Sequence, residues 1–262
     1  MYTTSVILLA LSAASLVSAH GKVIAVTGDQ GGNGTALGIL GAAVPLFGNN
    51  DDTETDTTVF GGNPNDPMRD GLGETSANGN IQVSDLADAV SQSGTTLPQV
   101  SGDGSGVING TWQIVTSDGT ANDEEGKLFA VIDESGTGEY SKGTQVDVES
   151  NMVGRDGNTV QKRADNVGAF AQFSVKIPSG LNCAGSDSQS GQSNFCLMKV
   201  VNNNGAGPFG GNVAFQIAGS STGSSSASNS ATPTSTTSND DEASHGRSRK
   251  SKDSKRGLAF KA

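Results

Sequence analysis

Apolar residues fall into three regimes along the chain. Near the start, Val6-Ile7-Leu8-Leu9-Ala10-Leu11 is one uninterrupted run that gives way to small residues. From Gly21 to Ala218, short segments of alternating apolar and polar residues are separated by Gly, Asn, Asp and Ser. Beyond residue 219 almost nothing is apolar. Alternation bounded by turn residues marks strands with one buried face. It predicts strands at 21–28, 107–116, 127–132, 145–149, 170–178, 195–201 and 212–218. In the 170–178 segment, Phe170 and Val175 lie on opposite parities, which predicts a switch of face or a bulge. A helical period appears over Ser84–Gln92, where Leu86, Ala89 and Val90 share one face. Ser84 is the expected N-cap, Asp85 sits in the first turn and Gly94 ends the helix.

Residues 45–80 hold few apolar positions and are expected to form a long surface loop. The glycine-rich stretch 28–34 also reads as a loop. It lacks the Lys-Ser/Thr and the following helix that a phosphate cradle needs. The pattern as a whole predicts an all-β fold, an antiparallel β-sandwich of immunoglobulin or fibronectin type. It would have roughly six to eight strands, one short helix and long loops. The 37 glycines and the 5% aromatic content agree with a turn-rich β-protein.

The opening run reads as a signal peptide over residues 1–19. Val17-Ser18-Ala19 supplies the small-x-small cleavage signal between Ala19 and His20. The run is too short to span a membrane. The mature protein is therefore expected to be secreted, in the extracellular space or the cell wall. Residues 20–218 carry 9 Lys and Arg against 23 Asp and Glu, a net of −14, and form the foldable domain. That acidity excludes nucleic acid and anionic membrane as partners. Residues 219–262 form a Ser/Thr-rich tail with a basic end, 247–256, and cannot bury a core. The Lys255-Arg256 pair offers a trimming site, and no hydrophobic end is present to serve a glycolipid anchor. The two cysteines, Cys183 and Cys196, are expected to pair in an oxidising compartment. Asn33-Gly34-Thr35 and Asn109-Gly110-Thr111 match the N-glycosylation acceptor pattern, with Asn109 on a strand that the core could cover.

Cleavage after Ala19 gives His20 a free α-amine beside its imidazole, and the two together can chelate a metal. Around this histidine several motifs occur in order. They are His20-Gly21, Ala25-Val26-Thr27-Gly28-Asp29-Gln30-Gly31-Gly32, Leu97-Pro98-Gln99-Val100-Ser101, Asn194-Phe195-Cys196, and Ala206-Gly207-Pro208-Phe209-Gly210-Gly211. The ordered set resembles the fungal Egh-like family, the appressorium-specific virulence factors also described as Gas/Mas-type cell-surface proteins. The resemblance implies a secreted fungal protein of infection structures, active in host penetration or virulence, without an established enzymatic activity. The family is similar in layout to the copper-dependent polysaccharide monooxygenases. That likeness places Gln113, Asp118 and Phe209 near His20, with Phe209 as an axial aromatic or as a plug in a Gly-rich turn.

The chain departs from the pattern at telling places. Where family members carry a second histidine, this chain has Gln113. Cysteines that some members carry near Leu72 and Asn212 are both absent, as if one disulfide were lost as a unit. A copper brace needs three nitrogens, and an amide oxygen is a poor substitute. The other histidine, His245, lies in the tail. The expectation is therefore no resident cofactor, with His20 the candidate ligand should copper bind. A triad hydrolase would need a histidine within the fold besides His20. No pair of acidic residues, Glu124-Glu125 included, has a recognisable glycosidase context. Trp112, the single tryptophan, is read as core rather than as a sugar platform. The leading reading is a virulence-associated surface protein that is non-catalytic or of unknown activity. A degenerate copper oxygenase and a module binding fungal or host wall polysaccharide are the alternatives, and the chain is expected to be a monomer without a membrane span.

Overall fold

The computed structural model describes residues 20–41, 44, 55–63, 65–69, 71–116, 128–150, 167–203 and 207–219. The leader through Ala19, Asp118, Glu124-Glu125 and the tail from residue 220 lie outside them. In chain order the strands are β1 (Gly21–Gly28), β2 (Gly31–Gly34), β3 (Thr58–Val59), β4 (Glu74–Thr75), β5 (Gly79–Asn80), β6 (Gln99–Val100), β7 (Val107–Ile114), β8 (Leu128–Asp133), β9 (Thr144–Val146), β10 (Val148–Ser150), β11 (Phe170–Lys176), β12 (Gly185–Asp187), β13 (Gln192–Asn202) and β14 (Phe209–Ile217). The helix α1 (Leu86–Ser93) lies between β5 and β6. Five strands form one sheet in the order β10-β11-β7-β1-β2. The other nine belong to a second sheet along β5-β4-β3-β14-β13-β8-β9, with β12 on β13 and β6 on β14. The pairings are antiparallel except β6 with β14.

The predicted sandwich is present, and burial explains its patterns. Trp112, Val23, Phe173 and Val175 from the first sheet face Met198, Val200, Val213 and Phe215 from the second. Each such side chain contributes about 1.5–3 kcal/mol on leaving water. The first sheet has one face in this core and one in solvent, so β11 alternates exposed and buried residues along its length. The second sheet is covered on both faces. Its outer side packs a further apolar cluster that includes Leu86, Ala89 and Val90 of α1 with Tyr140 and Leu197. A strand buried on both sides reads as continuous apolar sequence, and β13 is buried from Phe195 to Asn202.

Several expectations need correction. Residues 31–34 are not loop: Gly31 to Gly34 is the strand β2, paired with the end of β1. The 45–80 stretch is not all surface, since Asp56, Thr57, Thr58 and Phe60 are buried and β3 joins β14. Residues 145–149 do not make one strand. They divide at Asp147 between β9 in the second sheet and β10 in the first. Strand β11 runs without a bulge against β7, and Phe170 is simply an outward residue at its start. Ser84 is not the helix cap. A 3-10 turn over Val83–Asp85 precedes α1, with Gln82 and Asp85 forming a capping box. Gly94 ends α1 as expected.

Cys183 and Cys196 are joined. Closing a loop of sequence separation 13 contributes about 3 kcal/mol in the chain-entropy account. The apolar content of the intervening β12–β13 hairpin is too small to do the same. Among the described residues, no helix is long and apolar enough to cross a membrane.

Candidate functional site

His20 stands immediately before β1 and is held from several sides. Its carbonyl accepts the Val115 N–H at 3.0 Å, continuing the β1–β7 ladder past its formal end. Its own N–H donates to Thr116 Oγ1 at 2.7 Å. Nδ1 of the imidazole lies 3.4 Å from that same hydroxyl oxygen. The ring meets Phe209 with centroids 4.0 Å apart and planes tilted by 44°. Phe209 is itself fixed, because its N–H donates to Asn202 Oδ1 at 2.8 Å and the preceding Pro208 carbonyl accepts from Phe60 at 2.7 Å.

The residue after His20 explains the His-Gly pair. Gly21 lies on the indole of Trp112, where any Cβ would overlap the ring. Trp112 is 0% exposed, which rules it out as a sugar platform. Two residues further, Lys22 is buried in an ion pair with Asp56 at 2.5 Å. Asp56 Oδ2 also accepts the Leu40 N–H at 3.0 Å, so one carboxylate ties the first strand to two later segments.

The predicted neighbours of His20 separate into distinct places. Phe209 is beside it. Gln113 pairs across the sheet with Lys22 on one side and Phe170 on the other. There it lines an outer groove of about 560 Å³, and no hydrogen bond joins it to His20 among the described residues. Asp118 falls outside the described residues. Thr116 is the contact that sequence reasoning missed, although it lies in the same heptapeptide as Gln113 and Asp118. The register could have found it: once Gly21 pairs with Ile114, His20 must face the residues just after β7. Among the described residues, the donors around His20 do not make a copper brace. The amine position and Nδ1 converge on one neutral hydroxyl, and a hydroxyl is a poor ligand beside imidazole.

The other motifs behind the family resemblance meet one another in space. The carbonyls of Gln99 and Leu97 lie where Gly28 and Gly32 would carry a Cβ. Asp29 accepts from the Ser101 hydroxyl, the Gln30 carboxamide and the backbone N–H groups of Ser101 and Val107. Partial burial opposes its charge, but these hydrogen bonds outweigh it and hold the carboxyl well below the usual 3.8. Stability from this site is therefore full above that value and is lost as pH falls towards the lower folded-state pKa. An Asp29→Asn variant should be less stable than the parent at pH 7. The gap should close progressively below about pH 4, as read from urea midpoints across pH. A gap that stays constant down to pH 2 would count against the assignment. Leu72 and Asn212, the two positions where the resemblance places an additional disulfide, are also neighbours. The Asn212 carboxamide donates to the Leu72 carbonyl at 2.7 Å and accepts from the Tyr140 hydroxyl at 2.9 Å.

Fold and site together define a two-sheet β-sandwich with a histidine clamped at the entry to its first strand. The chain belongs to the Egh16-like family, since the model of the Egh16-like virulence factors matches residues 18–210. It is 33% identical over 226 residues to the appressoria-specific virulence factor GAS1 of Pyricularia oryzae, covering 85% of this chain and 81% of that protein. No solved structure matches the chain.

Proposed function

We propose that this is a secreted fungal protein of infection structures that acts at the cell surface or in the apoplast during host penetration, without catalysis of its own. Membership of a virulence-factor family and the likeness to an appressoria-specific relative support the infection role. The apolar leader with its cleavage signal supports secretion. The observation that carries the non-catalytic reading is Thr116. Its hydroxyl oxygen lies 2.7 Å from the His20 backbone nitrogen and 3.4 Å from Nδ1, and the other histidine of the sequence, His245, lies in the tail. One observation favours the second reading, a copper oxygenase acting on wall polysaccharide: the aromatic Phe209 does stand beside His20.

Complementation separates the two. A strain lacking this protein, given back the His20→Ala form, should recover host penetration to the level restored by the unaltered protein. Failure to recover, with the variant present in the medium and folded, would show that the His20 side chain does the work.

A further inference from the structure

Among the described residues, the outer face of the five-stranded sheet carries exposed side chains on every strand away from the buried Lys22. One register row crosses all five strands there: Asn33 on β2, Thr27 on β1, Asn109 on β7, Ser174 on β11 and Glu149 on β10. Two of these five residues are the acceptor asparagines of Asn-Gly-Thr sequences. They flank Thr27, two strand spacings apart, or about 10 Å. Both are exposed, and neither carboxamide makes a hydrogen bond among the described residues. The core does not cover Asn109, because its inward neighbours on β7 are Ile108 and Gly110.

The surroundings suit attached sugar. The outward residues nearest the two asparagines, Ala25, Thr27, Thr111, Gln172 and Ser174, are uncharged, while Glu149 on β10 and Lys176 on β11 carry the charge of this face. Further along the same face Phe170 is 55% exposed. An exposed aromatic on an open sheet face is a liability unless something shields it.

We propose that Asn33 and Asn109 both carry N-linked glycans and that the two together cover the outer face of the five-stranded sheet, Phe170 included. This rests on the secretory route proposed above. In the transfer, the carboxamide Nδ2 forms a bond to C1 of the first N-acetylglucosamine of a polyisoprenyl-pyrophosphate-linked oligosaccharide. The C1–oxygen bond to the pyrophosphate breaks, and the amide proton leaves with the lipid pyrophosphate. The consequence is directional. Partners and wall polymers meet the His20–Phe209 end and the second sheet's side, while the first sheet's outer face is shielded.

The test uses the full chain secreted by a fungal host, once behind its own leader and once behind an unrelated one. Enzymatic deglycosylation in heavy-oxygen water, followed by peptide mapping, should convert both Asn33 and Asn109 to heavy-oxygen aspartate in most molecules. Hydroxyl-radical labelling of Phe170 should then rise several-fold after the glycans are removed. Asn109→Gln should cost one glycan and leave the thermal midpoint unchanged, because the exposed carboxamide makes no hydrogen bond among the described residues. Recovery of unmodified Asn33 or Asn109 from most molecules overturns the proposal, as does equal Phe170 labelling before and after deglycosylation. If only the unrelated leader delivers protein to the medium, the secretion reading fails while the glycan mapping still decides this one.

Discussion

Gly21→Ala is expected to cost about 3 kcal/mol, the upper end of the range for overpacking a filled core. The added methyl would overlap the Trp112 indole, and that ring has nowhere to go. Trp112 is 0% exposed, and its Nε1–H has no hydrogen-bond partner among the described residues. The indole is therefore held by shape alone, with no directional bond to guide it into a new position. For a domain of this size the loss corresponds to a fall of roughly 6–12 °C in the thermal midpoint. The effect should also reach His20. Displacing β1 from β7 at Gly21 disturbs the adjoining contacts of His20 with Val115 and Thr116. Trp112→Phe introduced into the Gly21→Ala background should recover part of the loss, because the smaller ring makes room for the methyl. Scanning calorimetry of the single and double variants measures both effects. A single variant within 2 °C of the parent would show that Gly21 is not selected by the indole.

The second large effect is expected at Lys22 and Asp56. Both side chains are essentially inaccessible, at 1% and 0% exposure, and they are 2.5 Å apart. Removing one member of a buried pair leaves a charge without its partner and costs about 3–5 kcal/mol. Asp56→Ala should show this fully, since it also strips the acceptor from the Leu40 N–H. Replacing both groups by apolar residues, Lys22→Met with Asp56→Leu, should cost much less than the two single changes added together. Urea unfolding of the four proteins gives the coupling. Additive single effects would mean that the pair does not act as a unit. The short polar stretch around Asp56 is held by the buried ion pair, by the Leu40 N–H bond to the same carboxylate, by the pairing of β3 with β14 and by the buried Phe60.

That segment shows where sequence reasoning stops. Period-two alternation located the main strands because half-buried strands must alternate. It could not assign strands to sheets, so β9 and β10 read as one strand although they belong to opposite layers. Asp56 and Thr57 looked like loop because polar residues normally face water. Their burial depends on Lys22, which lies 34 residues earlier in the chain. The core of β13 was legible for a different reason, since a strand covered on both faces needs no alternation. At the site, Phe209 was found through the family resemblance, while Thr116 was not. Serine and threonine are too common for composition to single one out, and only the β1–β7 register brings this one to His20. The motifs behind the resemblance mark packing as much as chemistry. Gly28 and Gly32 are glycines because the Leu97–Gln99 backbone passes directly over them.

The buried pair, the Gly21–Trp112 contact and the Thr116 hydroxyl fix the start of the first strand around His20. That histidine closes the start of the first strand and fills the space over Phe209. The most direct test is copper titration of the mature protein beginning at His20, followed by electron paramagnetic resonance. The non-catalytic role proposed above predicts no stoichiometric type-2 copper signal that depends on His20. A tight, one-to-one type-2 signal that disappears in His20→Ala would contradict this account and make the histidine a metal centre after all.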